Sequence, residues 1–124
     1  MNIVRYLSKL NPKHADGWEL DAGVALAMGL KMRLDSNGDD PIVEVYRDSA
    51  WRPFSPTASW EDFGFMISQF QIVIGTHGGE DGARFWYSAH AFLGGTTFES
   101  FDDLRVVAAR AATAHGQVLE WRSA

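Results

Sequence analysis

Between residues 51 and 60 the chain reads Trp51-Arg52-Pro53-Phe54-Ser55-Pro56-Thr57-Ala58-Ser59-Trp60. Two indoles, a phenyl ring, a guanidinium and several hydroxyls lie close together, and proline fixes φ at two positions, so the segment is stiff. Stiff aromatics beside a cation and hydroxyls can stack a planar ring and hydrogen-bond its substituents. Trp51, Arg52, Phe54, Ser55, Thr57 and Trp60 are therefore the candidate ligand-binding residues, and a nucleotide-type small molecule is the ligand they fit. The competing role for the same rings is to close the core over the end of a sheet.

A second grouping is electrostatic. Asp35, Asp39, Asp40, Glu44 and Asp48 follow one another closely. On one strand edge they would form an acidic interaction surface able to mimic nucleic-acid phosphates in the basic groove of a host protein. The competing role, which the residue types favour, is a solvated loop and an edge strand protected by charge.

Other chemistries find less support. The histidines, at 14, 77, 90 and 115, show no HxH or HExxH spacing, so no metal site is expected, although His77 and His90 could meet across a hairpin. Asp35-Ser36-Asn37-Gly38-Asp39-Asp40 resembles a calcium loop only superficially: Asp40 stands where the loop wants Gly and Tyr46 where it wants a bidentate Glu. Thr76-His77 followed by Glu80-Asp81 has the residue types for acid–base work, but a glycine-rich hairpin tip holds such groups poorly. There is no GxSxG elbow, and Gly78-Gly79 and Gly94-Gly95 lack phosphate-loop frames. No catalytic residue and no cofactor is expected.

The whole chain sets the frame for these residues. It has 124 residues, no Cys, 16 Asp+Glu against 11 Lys+Arg, and a net charge of −5. Disulfides, thiol catalysis and Cys-based zinc are excluded, and the acidic balance disfavours duplex nucleic-acid binding through phosphates. No targeting segment or membrane span is expected, and the default location is cytoplasmic. Residues 1–15 carry Arg5, Lys9, Lys13 and His14 and no acid, so they form a basic arm or short helix that is either a leader packed on the domain or a docking element. Residues 16–124 are read as one domain.

Local patterns predict the elements that position the candidates. Asp16 with Glu19 makes a capping-box start for a helix whose apolar positions include Leu20, Val24, Ala27 and Met28, with Leu30 and Leu34 extending that side. Ile42–Tyr46 is a strand by β-branched content, and Arg47–Ala50 turns the chain. A second helix begins at Ser59, with Asp62 at its capping-box position, or at Ser55 with Pro56 as first helical residue. Gln71–Gly75 and Arg84–His90 are strands joined as a hairpin. Ser100 is predicted to cap a last helix, with Leu104, Val107, Ala108 and Ala111 facing inward and Gly116 at its end. The order helix, strand, helix, strand, strand, helix gives an α+β domain with a small, mainly antiparallel sheet of three or four strands between helices.

Four pieces of the chain, in order, resemble the phage ABA-sandwich family, small proteins of tailed bacteriophages and prophages of largely unknown function. Glu19-Leu20-Asp21-Ala22-Gly23-Val24-Ala25-Leu26-Ala27-Met28-Gly29-Leu30 is similar to the family's opening L-D-x-x-V-A-x-A-x-G-L helix. Phe54-Ser55-Pro56-Thr57 is similar to the stretch ahead of its second helix, and Phe85-Trp86-Tyr87-Ser88-Ala89 to its W-x-A strand. The run from Thr97 to Gly116, with Ala108-Ala109-Arg110-Ala111-Ala112, is similar to its closing helix. The resemblance implies a helix–sheet–helix sandwich and carries no catalytic site. On this reading the chain is expected to be a non-enzymatic phage or prophage accessory protein in the bacterial cytoplasm, plausible in counter-defence. It would bind a nucleotide-type ligand or a host protein, with homo-oligomers allowed. An anti-CRISPR-like acidic inhibitor and a small enzyme on a nucleotide-type substrate are the alternatives.

Overall fold

The β-branched run at Ile42–Tyr46 becomes β2 (Ile42–Arg47) in a computed structural model of the chain, which describes residues 2–36, 38, 40–78, 86–91, 97–100 and 103–119. β2 is the middle strand of an antiparallel sheet, between β1 (Met32–Asp35) and β3 (Ala50–Pro53). Its pleat sends Val43 and Val45 into the core and Ile42, Glu44 and Tyr46 to the other face. A tight turn at Asp48 and Ser49, with φ of 53° and 65°, pairs Tyr46 with Trp51. Positive φ at both turn residues is the hand that two-residue hairpins require.

The second sheet is β4 (Ile72–His77), β5 (Trp86–Ala91) and β6 (Phe98–Ser100), also antiparallel. Ile72 and Ala89 lie in the core, while Val73 points outward. The described residues thus form an α+β fold with two three-stranded sheets and four helices: α1 (Ile3–Ser8), α2 (Gly17–Ala27), α3 (Trp60–Phe70) and α4 (Leu104–Leu119).

α2 and α4 carry the sheets. α2 packs on α4, the first sheet lies on α2, and the second sheet lies on α4, which also meets α3. Every residue from Leu20 to Ala25 is buried, so α2 is enclosed on all sides. That explains its small residues. A Cβ at Gly23 would sit 2.8 Å from Thr113 Cγ2 on α4, so glycine there sets the helix–helix approach.

The basic arm is tied into this core. Leu7 of α1 is fully buried, and Gln117 Nε2 of α4 donates to the carbonyls of Leu7 at 3.2 Å and Leu10 at 3.0 Å. Arg110, buried on α4, donates from Nε to the Ala15 carbonyl at 2.9 Å.

Several boundaries differ from the sequence expectations. α2 stops at Ala27, and Gly29 takes φ +73°, so Leu30 follows the helix and Leu34 belongs to β1. Asp16 flanks α2 without a side-chain cap, and Glu19 instead accepts the Tyr6 hydroxyl. Ser59 is the cap of α3, its Oγ accepting the Asp62 N–H, while Ser55 starts a turn. Ser100 lies in β6; Asp103 caps α4 through Oδ1 to the Arg105 N–H at 2.8 Å. Gly116 is buried within α4 and does not end it.

Candidate functional site

The 51–60 segment divides along its length, because alternate residues of a strand point apart. Trp51 lies on the open face of the first sheet and Arg52 on the opposite side, where its Nε reaches the Arg47 carbonyl at 3.4 Å. Phe54 is 1 % exposed and belongs to the core. Trp60 begins α3 and is 59 % exposed. The six candidates therefore do not converge on one pocket.

Ser55 and Thr57 are held by a buried acid. Asp21 of α2 accepts the Ser55 hydroxyl at 2.9 Å, the Thr57 N–H at 3.1 Å and the Thr57 hydroxyl at 2.9 Å. Asp62 of α3 takes the Ser55 N–H at 2.9 Å and the Arg47 guanidinium at 3.2 Å. Ser55 is thus shared by two buried carboxylates, and the segment is a strap that joins α2 to α3. Burial pushes the Asp21 carboxyl above its usual range. The three donors from Thr57 and Ser55 pull it down, and the charge of Asp62 adds to the rise. A cavity of about 340 Å³ beside the strap is lined by Trp18, Asp21, Phe54, Ser55 and Thr57 among others. Its hydroxyls already donate to Asp21, so they are not open donors for a ligand.

The open sheet face is different. Tyr46 and Trp51 are cross-strand neighbours meeting edge to face at 5.5 Å. The Arg33 guanidinium lies 4.3 Å from the centre of the Trp51 ring, and Lys31 Nζ lies 5.6 Å from Tyr46 and 5.9 Å from Trp51. Glu44 accepts Arg33 Nε at 2.9 Å and so orients the guanidinium. Tyr46 is 45 % exposed, and Ile42, on the same face at the other end of β2, is also exposed. Two aromatics and two cations thus form a platform on a sheet face whose other side covers α2. Lys31, Arg33 and Tyr46 were not among the sequence candidates. The available signal was the turn: once Asp48-Ser49 is read as a two-residue hairpin, Tyr46 must oppose Trp51.

A second cation–aromatic cluster surrounds Trp60. Arg105 lies 4.1 Å over its ring, donates to the Ala58 carbonyl at 3.0 Å and pairs with Asp103 at 2.9 Å. Those bonds hold the Asp103 carboxyl below its usual range. Phe63 meets Trp60 edge to face at 5.3 Å. Each nitrogen of Arg105 donates a hydrogen bond and one face of the guanidinium lies on Trp60, so the cluster ties α3 to α4.

The acids do not make one stripe. Asp35 and Asp40 flank the β1–β2 connection, Asp48 lies in the turn at the far end of β2, and Glu44 is engaged with Arg33. Asp39 lies outside the described residues, as do residues 79–85 with Glu80 and Asp81, residues 94–96, and Trp121. His77 and His90 do not meet across the hairpin: the register sets His77 opposite Trp86 and His90 opposite Val73. His77 Nε2 lies instead 2.8 Å from Ser88 Oγ, in the space that Gly75 leaves open. Among the described residues no group of three or more His, Asp or Glu could hold a metal, and no helix is long and apolar enough to cross a membrane. Comparison with models of known protein families and with curated proteins finds no match for this chain.

Proposed function

We propose that the chain is a non-enzymatic phage or prophage accessory protein of the bacterial cytoplasm that binds a nucleotide-type small molecule on the open face of its first sheet. The supporting observation is the stacking of Arg33 and Lys31 on Trp51 and Tyr46. An exposed aromatic on a sheet offers a base its π-face, with stacking of about 1–3 kcal/mol per base. Glu44 takes only the Arg33 Nε, which leaves the terminal guanidinium nitrogens for an anion. A ring on the aromatics with its phosphate toward Arg33 and Lys31 satisfies both halves of the platform. The phage assignment rests on the family resemblance, and sequestration of a host signal is the role that suits a binder of this kind.

The test is tryptophan fluorescence during titration with mononucleotides, in the wild type and in Lys31→Ala and Arg33→Ala. Saturable quenching that weakens at least tenfold in each variant is expected. No saturable response to any mononucleotide, or full binding by both variants, refutes the proposal. An enzyme acting on a nucleotide-type substrate is the second reading, favoured by the 2.8 Å contact between His77 Nε2 and Ser88 Oγ, the separation of a nucleophile and its base. Turnover of a nucleotide ester that is abolished by Ser88→Ala would establish it; equal turnover by wild type and Ser88→Ala would remove it.

A further inference from the structure

An open cavity of about 540 Å³ lies against α1, away from the sheet platform, and is lined by Asn2, Arg5, Tyr6, Lys9, Leu10, Asn11 and Glu19. Its polar groups are almost all donors, for reasons visible in the hydrogen bonds. Asn2 spends its side-chain oxygen on the Arg5 N–H at 3.1 Å, and Asn11 spends its own on the Lys13 N–H at 3.0 Å. Each amide therefore offers the cavity its NH₂ group. Arg5 and Lys9, one helical turn apart, add a guanidinium and an ammonium, and both side chains are exposed. The single carboxylate, Glu19, accepts the Tyr6 hydroxyl on one of its two oxygens.

The apolar part of the cavity is fixed as well. Tyr6 stacks on Trp18 with ring centres 6.3 Å apart and planes 7° from parallel. Its hydroxyl is anchored on Glu19, so the ring cannot swing away. Leu10 supplies further apolar surface.

We infer that this cavity is an anion-binding site for a phosphomonoester carried on a planar ring, with Arg5, Lys9 and the amides of Asn2 and Asn11 around the phosphate and Tyr6 and Leu10 against the ring. Two cations and two amide groups supply more donors than a lone carboxylate can use, whereas a phosphomonoester presents three terminal oxygens. The site explains why the cations of the arm project from a helix that is otherwise tied into the core.

Phenyl phosphate is the probe, followed by the NMR signals of the Asn2 and Asn11 side-chain amides and of the Tyr6 ring. Saturable shifts at all three are expected, with inorganic phosphate binding more weakly because it lacks the ring. The double substitution Arg5→Ala, Lys9→Ala should weaken binding at least tenfold, and Arg33→Ala on the distant sheet should leave it unchanged. That last control separates this site from the proposed nucleotide platform, since either can fail alone. Shifts that never saturate, equal binding of phenyl phosphate and inorganic phosphate, or an equal loss from Lys13→Ala would overturn the inference and reduce the cavity to general surface charge. The substituted side chains are exposed, and unchanged amide spectra elsewhere in the double variant will show that the fold is kept.

Discussion

Removing Asp21 tests whether the 54–57 segment is a strap. Asp21→Ala leaves the Ser55 hydroxyl, the Thr57 hydroxyl and the Thr57 N–H without their acceptor. Hydrogen bonds to a charged group contribute about 1.5–3 kcal/mol each, but the variant also recovers the cost of burying a carboxylate. A net loss of about 2–4 kcal/mol follows, or roughly 10 °C in melting temperature for a domain of this size. Asp21→Asn keeps one oxygen for the two Thr57 donors and turns an NH₂ toward the Ser55 oxygen, so it should lose only about 1 kcal/mol. The two variants also separate charge from shape. Because the folded-state pKa of Asp21 is raised, the folded protein holds this proton more tightly than the unfolded chain. The contribution of Asp21 is therefore full below the unfolded-chain pKa and declines as pH rises through the raised value. Groups common to both proteins cancel in the comparison. The stability of the wild type relative to Asp21→Asn should accordingly fall as pH is raised from the acid range toward neutrality. Thermal unfolding of the three proteins across that range is the assay. A melting temperature for Asp21→Ala within 2 °C of wild type would refute the account of the strap, and a wild-type advantage over Asp21→Asn that grows with pH would refute the upward shift of the Asp21 carboxyl.

Three other substitutions probe the packing and the turn. Gly23→Ala puts a Cβ 2.8 Å from Thr113 Cγ2 and should destabilise by about 1–3 kcal/mol, whereas in a Thr113→Ala background the same change should be neutral or favourable; urea unfolding of the cycle measures the difference. Thr113 Oγ1 is buried and has no hydrogen-bond partner among the described residues, so Thr113→Val should leave the melting temperature unchanged or raise it by the equivalent of about 1 kcal/mol. Ser49 holds φ +65°, so Ser49→Gly should stabilise by about 1 kcal/mol, and a lower melting temperature would contradict the turn geometry.

The parts of the fold legible in the sequence are those set by neighbours in the chain. Ser59 and Asp62, three positions apart, mark the start of α3 because the cap bond spans that distance. Val43 and Val45 mark the buried face of β2 by simple alternation. β1 escapes such reading because Leu30 and Leu34, four apart, satisfy a helical period as well as a strand, and only the left-handed Gly29 breaks the two. β6 is three residues long, too short for an alternation of apolar and polar residues to announce it. The Asp21 strap is illegible for a stronger reason. An acid inside a helix of alanines and glycines reads as exposed, and the donors that justify its burial lie more than thirty residues away. Likewise Arg110 reads as a charged interruption in an alanine run until Ala15 is brought against it.

What separates structural polar groups from candidate binding groups here is where their capacity is spent. Ser55, Thr57, Arg47 and Arg105 have the composition of a binding site, yet each donates to a carboxylate or carbonyl that fixes one element on another. A ligand there would have to replace those bonds, gaining nothing net. On the open face of the first sheet, Glu44 satisfies one nitrogen of Arg33, and the Lys31 ammonium lies over the Tyr46 and Trp51 rings. Along α1, the asparagine oxygens are used by backbone N–H groups and the NH₂ groups are not. An incoming anion completes these groups without undoing the fold, since the cost of removing them from water is offset by a new charged partner. The same ledger predicts how variants divide. Changes to the strap should move stability, and changes to Lys31, Arg33, Arg5 or Lys9 should move binding and leave stability nearly unchanged. A strap variant that kept full stability, or an exposed-cation variant that unfolded, would break that division.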